Sequence, residues 1–303
     1  MEPISSRYRD KIIEMMKNVR HTSVVTEKDV FQKANPLNRP YIDSMVEELL
    51  LPGSGILNLE NLHRLCELSR QGASCLILME HYSNFDIPCL YYLLEREGEN
   101  GKQIADSIIS IAGMKLNEEN PIVLAFTEAY TRIVIYPSRS LKHVSDPAVL
   151  KEEKHKNNAI NRAAMHEMIR AKKSGHIMLV FPAGTRYRPW DPSSRKGLKE
   201  IDSYIKSFDY MVLVGISGNV LRINPSEAMH EDLVTQDVVL YNAGPVIECG
   251  PFRKRMKAEA PFGDDSKQYV VDRVMDELQV LHEAAERSRA PFLNGKESIQ
   301  QEG

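Results

Sequence analysis

A histidine and an aspartate five residues apart are the side chains of this chain best suited to acid–base chemistry. His81 and Asp86 follow an apolar run that predicts a strand, and Pro88 marks the start of a predicted helix. An imidazole titrates near neutral pH and can act as a general base, while a carboxylate behind it fixes the tautomer. A strand-to-helix turn can bring the two side chains together. The spacing alone leaves open that Asp86 caps the helix and His81 is an ordinary loop histidine.

A second candidate site contains Arg186 and Arg188, which follow another apolar run. Pro182 and Gly184 predict a tight turn, and Pro189 favours an extended conformation for the residue before it. Because residues i and i+2 of an extended segment face the same way, the two guanidinium groups could together bind a phosphate. The alternative is a pair of solvated loop arginines.

Two further basic segments are weaker candidates. Lys142 and His143 follow a third predicted strand, where they could add cationic donors or belong to a plain surface loop. The run Arg253–Lys257 could meet an acidic partner or an anionic lipid surface, or could form a solvated helix face.

Several common catalytic motifs are absent from the sequence. Gly215–Gly218 has its second glycine one position too early for the nucleophile elbow of α/β hydrolases. Neither the phosphate-binding loop of NTPases nor the dinucleotide-binding glycine pattern occurs. The nine histidines and four cysteines show no zinc spacing, so we expect no metal and no bound cofactor.

The elements that must position these residues alternate between strand and helix after residue 54. Predicted strands cover residues 73–79, 107–112, 132–136, 176–181, 211–216, 238–241 and 246–249. This alternation predicts an α/β fold with a mixed, largely parallel sheet flanked by helices. Ligands of such sheets bind beyond the carboxyl ends of the strands, where the candidate residues stand.

A change of pattern at Pro52–Gly55 predicts a domain boundary. Residues 1–53 show apolar residues at helical spacing and are predicted to form a small N-terminal helical domain. Residues 54–290 are predicted to form the α/β domain, and residues 291–303 a flexible polar tail.

Composition and charge exclude several classes of protein. The chain has 303 residues, 42% of them hydrophobic and 27% charged, which is enough to bury a core without disulfides. A net charge of −3 does not suit a nucleic-acid-binding protein. No run approaches the ~20 apolar residues that span a bilayer, and the start lacks a secretory signal. We expect a cytoplasmic protein whose contact with a membrane, if any, is peripheral.

Taken together, the motifs resemble those of the glycerolipid acyltransferase superfamily, with H-x-x-x-x-D after one strand and F-P-x-G-x-R after another. The similarity is closer to the soluble, plastid-type glycerol-3-phosphate 1-O-acyltransferases, through Lys142, His143 and the R-x-R-P sequence Arg186–Pro189. It covers about residues 56–220. Glu80 stands where the family usually has Asn, and Thr185 is more typical of lysophosphatidate acyltransferases.

The resemblance implies a catalytic dyad of His81 and Asp86, and a phosphate site formed by Lys142, His143, Arg186 and Arg188. It implies transfer of a fatty acyl chain from an acyl-ACP or acyl-CoA thioester to the sn-1 hydroxyl of glycerol 3-phosphate. The product would be lysophosphatidic acid, formed in the first step of phospholipid synthesis in the cytoplasm or a stroma-like compartment. A lysophosphatidate acyltransferase, or a non-catalytic module that binds phospholipid or acyl carrier, stays open as an alternative.

Overall fold

The computed structural model describes residues 1–20, 24–118, 120–137, 141, 146–226 and 228–299. Its helices are α1 (Ile4–Arg7), α2 (Arg9–Lys17), α3 (Arg39–Leu49), α4 (Leu59–Arg70), α5 (Asp86–Arg96), α6 (Gly98–Ser107), α7 (Lys115–Glu118), α8 (Pro121–Thr127), α9 (Pro147–Lys173), α10 (Ile201–Ser207), α11 (Cys249–Glu259) and α12 (Ser266–Ile299). Its strands are β1 (Glu2–Pro3), β2 (Phe31–Gln32), β3 (Gly55–Leu57), β4 (Cys75–Met79), β5 (Ile108–Gly113), β6 (Arg132–Ile135), β7 (Ile177–Val180), β8 (Tyr210–Ser217), β9 (Leu221–Arg222), β10 (Leu233–Val234), β11 (Leu240–Ala243) and β12 (Ile247–Glu248).

The described strands form one large sheet and one small sheet. The large sheet has nine strands, of which eight follow the order β2-β6-β5-β7-β4-β8-β11-β3 and the ninth, β12, pairs with β8. The pairs from β6 through β8 are parallel, whereas β2, β11 and β12 join this block antiparallel. The small sheet is antiparallel, in the order β1-β10-β9. The predicted fold class, a mixed and largely parallel sheet flanked by helices, is confirmed.

The central strands are apolar on both faces because helices cover both faces of the sheet. Every residue of β4 and β7 is buried, as is typical of parallel strands inside an α/β fold. One face packs against helices α3 to α6 and α8, and the opposite face packs against α9 to α12. The sheet is therefore fixed from both sides, and the loops after β4 and β7 leave it next to each other.

The long helix α9 begins and ends where the sequence predicts. Asp146 caps it, since its Oδ1 accepts the backbone N–H groups of Ala148 and Val149 at 2.7 and 3.2 Å. Pro147 occupies the first turn, where a missing N–H costs nothing. Gly175, just beyond the helix, has a φ of +75°, which glycine adopts without strain.

The N-terminal segment differs from the sequence prediction in its details. The helical spacing at the start of residues 1–53 is divided between two helices at Tyr8, whose φ of −113° separates α1 from α2. The two-residue strands β1 and β2 were not predicted, because so short a strand shows no alternation. Since β2 pairs with β6, residues 1–53 contribute a strand to the large sheet. At the other end of the chain, α12 continues past residue 291 to Ile299.

Candidate active site

The sequence-predicted pair of His81 and Asp86 is in direct contact. His81 leaves the tip of β4, and Asp86 is the first residue of α5. His81 Nδ1 lies 2.9 Å from Asp86 Oδ2, and the side chain of Asp86 is only 5% exposed. The turn between strand and helix thus brings together two side chains that would diverge along a straight helix.

Asp86 is not a helix cap. No hydrogen bond joins its side chain to the first turn of α5, and its Oδ2 instead accepts the backbone N–H groups of Tyr82 and Ser83 at 2.7 and 3.0 Å. These donors stabilise the ionised carboxylate, as does its place at a helix N-terminus. Because a carboxylate only accepts hydrogen bonds, Nδ1 of His81 carries the proton, which leaves Nε2 as the basic nitrogen.

The tips of β4 and β7 converge, as the two motifs require. The His81 ring stacks on the ring of Phe181, with centroids 3.8 Å apart and planes 9° from parallel. The backbone N–H of Tyr187 donates to the carbonyl oxygen of His81 at 2.8 Å. The stacking holds the face of the imidazole, and the backbone hydrogen bond joins the histidine loop to the arginine loop.

Arg186 is buried in an ion pair with an aspartate that the sequence did not single out. Its Nη1 donates to Oδ2 of Asp232, and the two side chains are 7% and 0% exposed. The same oxygen accepts from Nδ2 of Asn84, at 3.4 Å, which belongs to the loop between His81 and Asp86. Asp232 therefore links the arginine motif to the histidine motif.

Arg188 lies on the same loop but is half-buried. Its Nη1 donates to Oγ1 of Thr185 at 3.0 Å, and its backbone N–H donates to Oγ of Ser194 at 2.8 Å. Both arginines thus have partners within the chain. Lys142 and His143, the other two predicted phosphate ligands, lie outside the described residues.

Glu80 is the centre of a second buried cluster on the other side of the loop. Its Oε2 accepts the backbone N–H of Ile216 at 2.8 Å, and its Oε1 accepts the hydroxyl of Tyr82 at 3.0 Å. His282 of α12 places its Nδ1 3.2 Å from Glu80 Oε2 and 2.6 Å from the carbonyl oxygen of Ile216. Arg195 completes the cluster, because its Nη2 donates to the Tyr82 hydroxyl at 2.7 Å.

The cluster around Glu80 shifts the pKa values of His282 and Tyr82. Burial alone lowers the pKa of His282, but the hydrogen bond and the charge of Glu80 outweigh burial and raise that pKa above its ordinary value. Burial and the neighbouring Glu80 raise the pKa of Tyr82, so this phenol stays neutral. The cluster therefore combines an acid with a phenol and a histidine whose pKa values are both raised.

A narrow cleft lies beside His81, between the two loops. Its interior measures about 30 Å³, room for about one water molecule, so a larger ligand would sit at its mouth. The lining residues are Met79, Glu80, His81, Tyr82, Pro182, Ala183, Tyr187, Ser194, Arg195 and Met275.

The basic run Arg253–Lys257 serves the fold at least in part. Nε and Nη2 of Arg253 donate to the two carboxylate oxygens of Asp202 at 2.7 and 2.9 Å, and Asp202 is 1% exposed. Nζ of Lys257 lies 3.9 Å from the same carboxylate. Two of the five residues of the run therefore neutralise a buried acid, while Lys254 and Arg255 remain exposed.

The cysteines offer no nucleophile to this site. All four are buried, and burial raises the pKa of Cys75 and Cys249 to about 12. Within the described residues, no group of three or more His, Cys, Asp or Glu side chains is placed to hold a metal ion. The same part of the chain contains no helix that is both long and apolar enough to cross a membrane.

Sequence reasoning did not find three contributors to the site. Asp232, Arg195 and His282 lie outside the motifs, and their partners stand 46, 113 and 202 residues away along the chain. No local pattern indicates such pairings. Glu80 was noted only as a departure from the family pattern, although an acid at a buried strand tip requires a partner and so predicts one.

Comparison with known proteins agrees with the geometry. The family model described as Acyltransferase matches residues 57–211, just over half of the chain. The matched region includes both strand tips and the loops that carry His81, Asp86, Arg186 and Arg195. The curated proteins contain no match to this chain.

Proposed function

This chain belongs to the Acyltransferase family, and we propose that it transfers a fatty acyl chain from a thioester to the sn-1 hydroxyl of glycerol 3-phosphate. The donor would be acyl-ACP or acyl-CoA, used as a co-substrate, and the product would be lysophosphatidic acid. The protein would then belong with the plastid-type glycerol-3-phosphate 1-O-acyltransferases that its sequence resembles. The reaction needs no bound metal or cofactor.

The observation that carries the proposal is the 2.9 Å contact between His81 and Asp86. No hydrogen bond within the described residues occupies Nε2 of His81, and the imidazole lines the cleft. Nε2 would take the proton of the acceptor hydroxyl while its oxygen attacks the thioester carbonyl carbon. Asp86 would stabilise the resulting imidazolium, which then protonates the departing thiolate.

The geometry also supports direct transfer, in which no acyl group is bound to the enzyme. A covalent mechanism would require a serine or cysteine activated by His81, and within the described residues no serine hydroxyl or cysteine thiol forms a hydrogen bond with this ring. In direct transfer the protein must hold both substrates and orient the hydroxyl toward Nε2. Arg186, Arg188, Lys142 and His143 are the proposed ligands of the acceptor phosphate.

A transfer assay tests the proposal. Purified protein would receive radiolabelled glycerol 3-phosphate with palmitoyl-CoA or with palmitoyl-ACP, and lysophosphatidic acid would be separated and counted. Parallel reactions would offer 1-acyl-glycerol 3-phosphate as the acceptor. We expect labelled lysophosphatidic acid from the wild type and a background count from His81→Ala.

The outcomes separate the alternatives. Turnover of 1-acyl-glycerol 3-phosphate alone would replace the proposal with a lysophosphatidate acyltransferase, which needs the same dyad. Binding of either acceptor without turnover by any donor, and without an effect of Asp86→Asn on binding, would identify a non-catalytic binding module. Asp106→Asn, an exposed carboxamide substitution on α6, is the matched control.

A further inference from the structure

We propose that Arg195 binds a phosphate ester at the mouth of the cleft beside His81. This inference rests on the proposed acyl transfer and adds a binding residue to it. Arg195 and His81 line the same cleft, so an anion held by this guanidinium would lie next to the basic nitrogen. Of the residues that line the cleft in the described part of the chain, Arg195 alone has a permanently cationic side chain.

Arg195 is held in place before any ligand binds. Its Nη2 donates to the Tyr82 hydroxyl at 2.7 Å, and its guanidinium carbon lies 4.6 Å from the centre of the Tyr187 ring. Hydroxyl and ring together fix the plane of the guanidinium, so little side-chain entropy is lost when it binds. Tyr82 is itself fixed by Glu80, which makes the position of Arg195 depend on the buried cluster.

The guanidinium keeps donors for a ligand. No hydrogen bond within the described residues uses Nε or Nη1 of Arg195, and its side chain is 38% exposed. The remaining N–H groups form the fork that matches two oxygens of a phosphate. Arg186 differs in this respect, because its side chain is 7% exposed and already donates to Asp232.

The nearest carboxylate forms an ion pair with Arg195 but accepts no hydrogen bond from it. Glu80 Oε1 lies 3.9 Å from Nη2 of Arg195, beyond hydrogen-bond distance. The oxygens of Glu80 are engaged by Ile216, Tyr82 and His282 instead. Glu80 therefore takes up none of the N–H groups of Arg195 that could donate to an anion.

Two sources could supply the phosphate ester. One is the acceptor, whose phosphate would then be held directly beside the base. The other is the phosphopantetheine group that carries the acyl chain in coenzyme A and in acyl carrier protein. Both present the same chemistry to Arg195, so the experiment must distinguish them.

The test measures binding and does not depend on turnover. Isothermal titration calorimetry would compare wild type, Arg195→Gln, Arg195→Lys and the control Arg64→Gln, an exposed substitution on α4. The probes are glycerol 3-phosphate, inorganic phosphate, coenzyme A and pantetheine, which lacks phosphate. Circular dichroism and thermal melting would verify that each variant folds, and Arg195→Lys keeps the charge if the glutamine variant does not fold.

We expect Arg195→Gln to raise the Kd of a phosphate ester about tenfold or more, because the hydrogen bonds from the charged guanidinium are lost. The rise in Arg195→Lys should be smaller. A rise for glycerol 3-phosphate assigns the acceptor as the source. A rise for coenzyme A but not for pantetheine or glycerol 3-phosphate assigns the donor. Unchanged Kd values for glycerol 3-phosphate, inorganic phosphate and coenzyme A in folded Arg195→Gln would overturn the inference.

The same data separate this inference from the proposed function. If the wild type binds glycerol 3-phosphate through Arg195 but forms no lysophosphatidic acid, the proposed reaction fails and the binding residue stands. If turnover occurs and Arg195→Gln keeps the wild-type Kd values and the wild-type KM for both substrates, the reaction stands and the role of Arg195 is wrong.

Discussion

The loop between β4 and α5, which carries His81, has a buried carboxylate with an arginine nearby on each of its two sides. The two arrangements differ in solvent exposure. On one side Asp232 and Arg186 form an ion pair whose side chains are 0% and 7% exposed. On the other side Glu80 is buried, but Arg195 is 38% exposed and binds Tyr82 in place of the carboxylate. The first pair is closed to solvent, whereas the second leaves its arginine at the mouth of a cleft.

This difference predicts that Arg186 contributes more to the stability of the fold than Arg195 does. Removing one member of a buried pair leaves an uncompensated charge, so Arg186 and Asp232 depend on each other for the stability of the fold. An exposed guanidinium contributes little to stability through its charge and can bind a ligand at low cost. Arg186 and Arg195 both follow β7, so the surroundings of each side chain distinguish them.

The largest expected effect is on catalysis, where both sides meet at His81. Replacing His81 by Ala removes the base, and replacing Asp86 by Asn removes the charge that stabilises the imidazolium. We expect either change to lower kcat about 10²–10⁴-fold with little change in the melting temperature. The measurement is the initial rate of acyl transfer at saturating substrates. A wild-type kcat in His81→Ala would remove the dyad from the mechanism.

The next largest effect is on the free energy of unfolding, and it tests the comparison between Arg186 and Arg195 directly. Arg186→Gln removes a cation that pairs with the buried Asp232, so we expect a loss of about 3–5 kcal/mol in the free energy of unfolding. Arg195→Gln should change the free energy of unfolding by less than about 1 kcal/mol, because its side chain is partly solvated. Urea denaturation of both variants provides the comparison. Equal losses in the two variants would contradict the expected difference between the buried and the partly exposed arginine.

A smaller effect tests how closely α12 must approach the sheet. A Cβ on Gly215 would lie 2.6 Å from the backbone nitrogen of His282 and 2.8 Å from the carbonyl carbon of Leu281. Gly215→Ala should therefore displace α12, lower the free energy of unfolding by about 1–3 kcal/mol and disturb the contact between His282 and Glu80. Gly55→Ala is the matched control, since a Cβ there meets no atom within 4 Å. Equal urea midpoints for the two variants would argue against this close packing.

The smallest effect concerns pH. Because the pKa of His282 is raised in the folded state, the native protein binds this proton more tightly than the unfolded chain does. The resulting stabilisation is complete below the unfolded pKa of about 6.5 and is lost as pH rises through the folded pKa. We expect the free energy of unfolding of His282→Gln to decrease less than that of the wild type as pH rises over this range. Urea denaturation at a series of pH values measures the difference. His166→Gln, an exposed substitution on α9, should leave the wild-type slope unchanged.

The sequence by itself determined the fold class and the local pairing of His81 with Asp86. The alternation of buried strands with capped helices, such as α9 between Asp146 and Gly175, depends on local patterns of hydrophobicity and turn residues. The contact of His81 with Asp86 is also local, because a single strand-to-helix turn closes it. The sequence identified Arg186 and Arg188 as candidate cationic residues, but it could not show which carboxylate or hydroxyl group each would bind.

The tertiary structure alone decided what surrounds the dyad. Asp232 reaches Arg186 from a segment 46 residues away, and His282 reaches Glu80 from a helix 202 residues away. The contact of His282 with Glu80 depends on how α12 packs on β8, which the absence of a side chain at Gly215 permits. The local periodicity of hydrophobic residues does not predict this packing, because distant segments become buried and paired only when the whole sheet and its helices assemble.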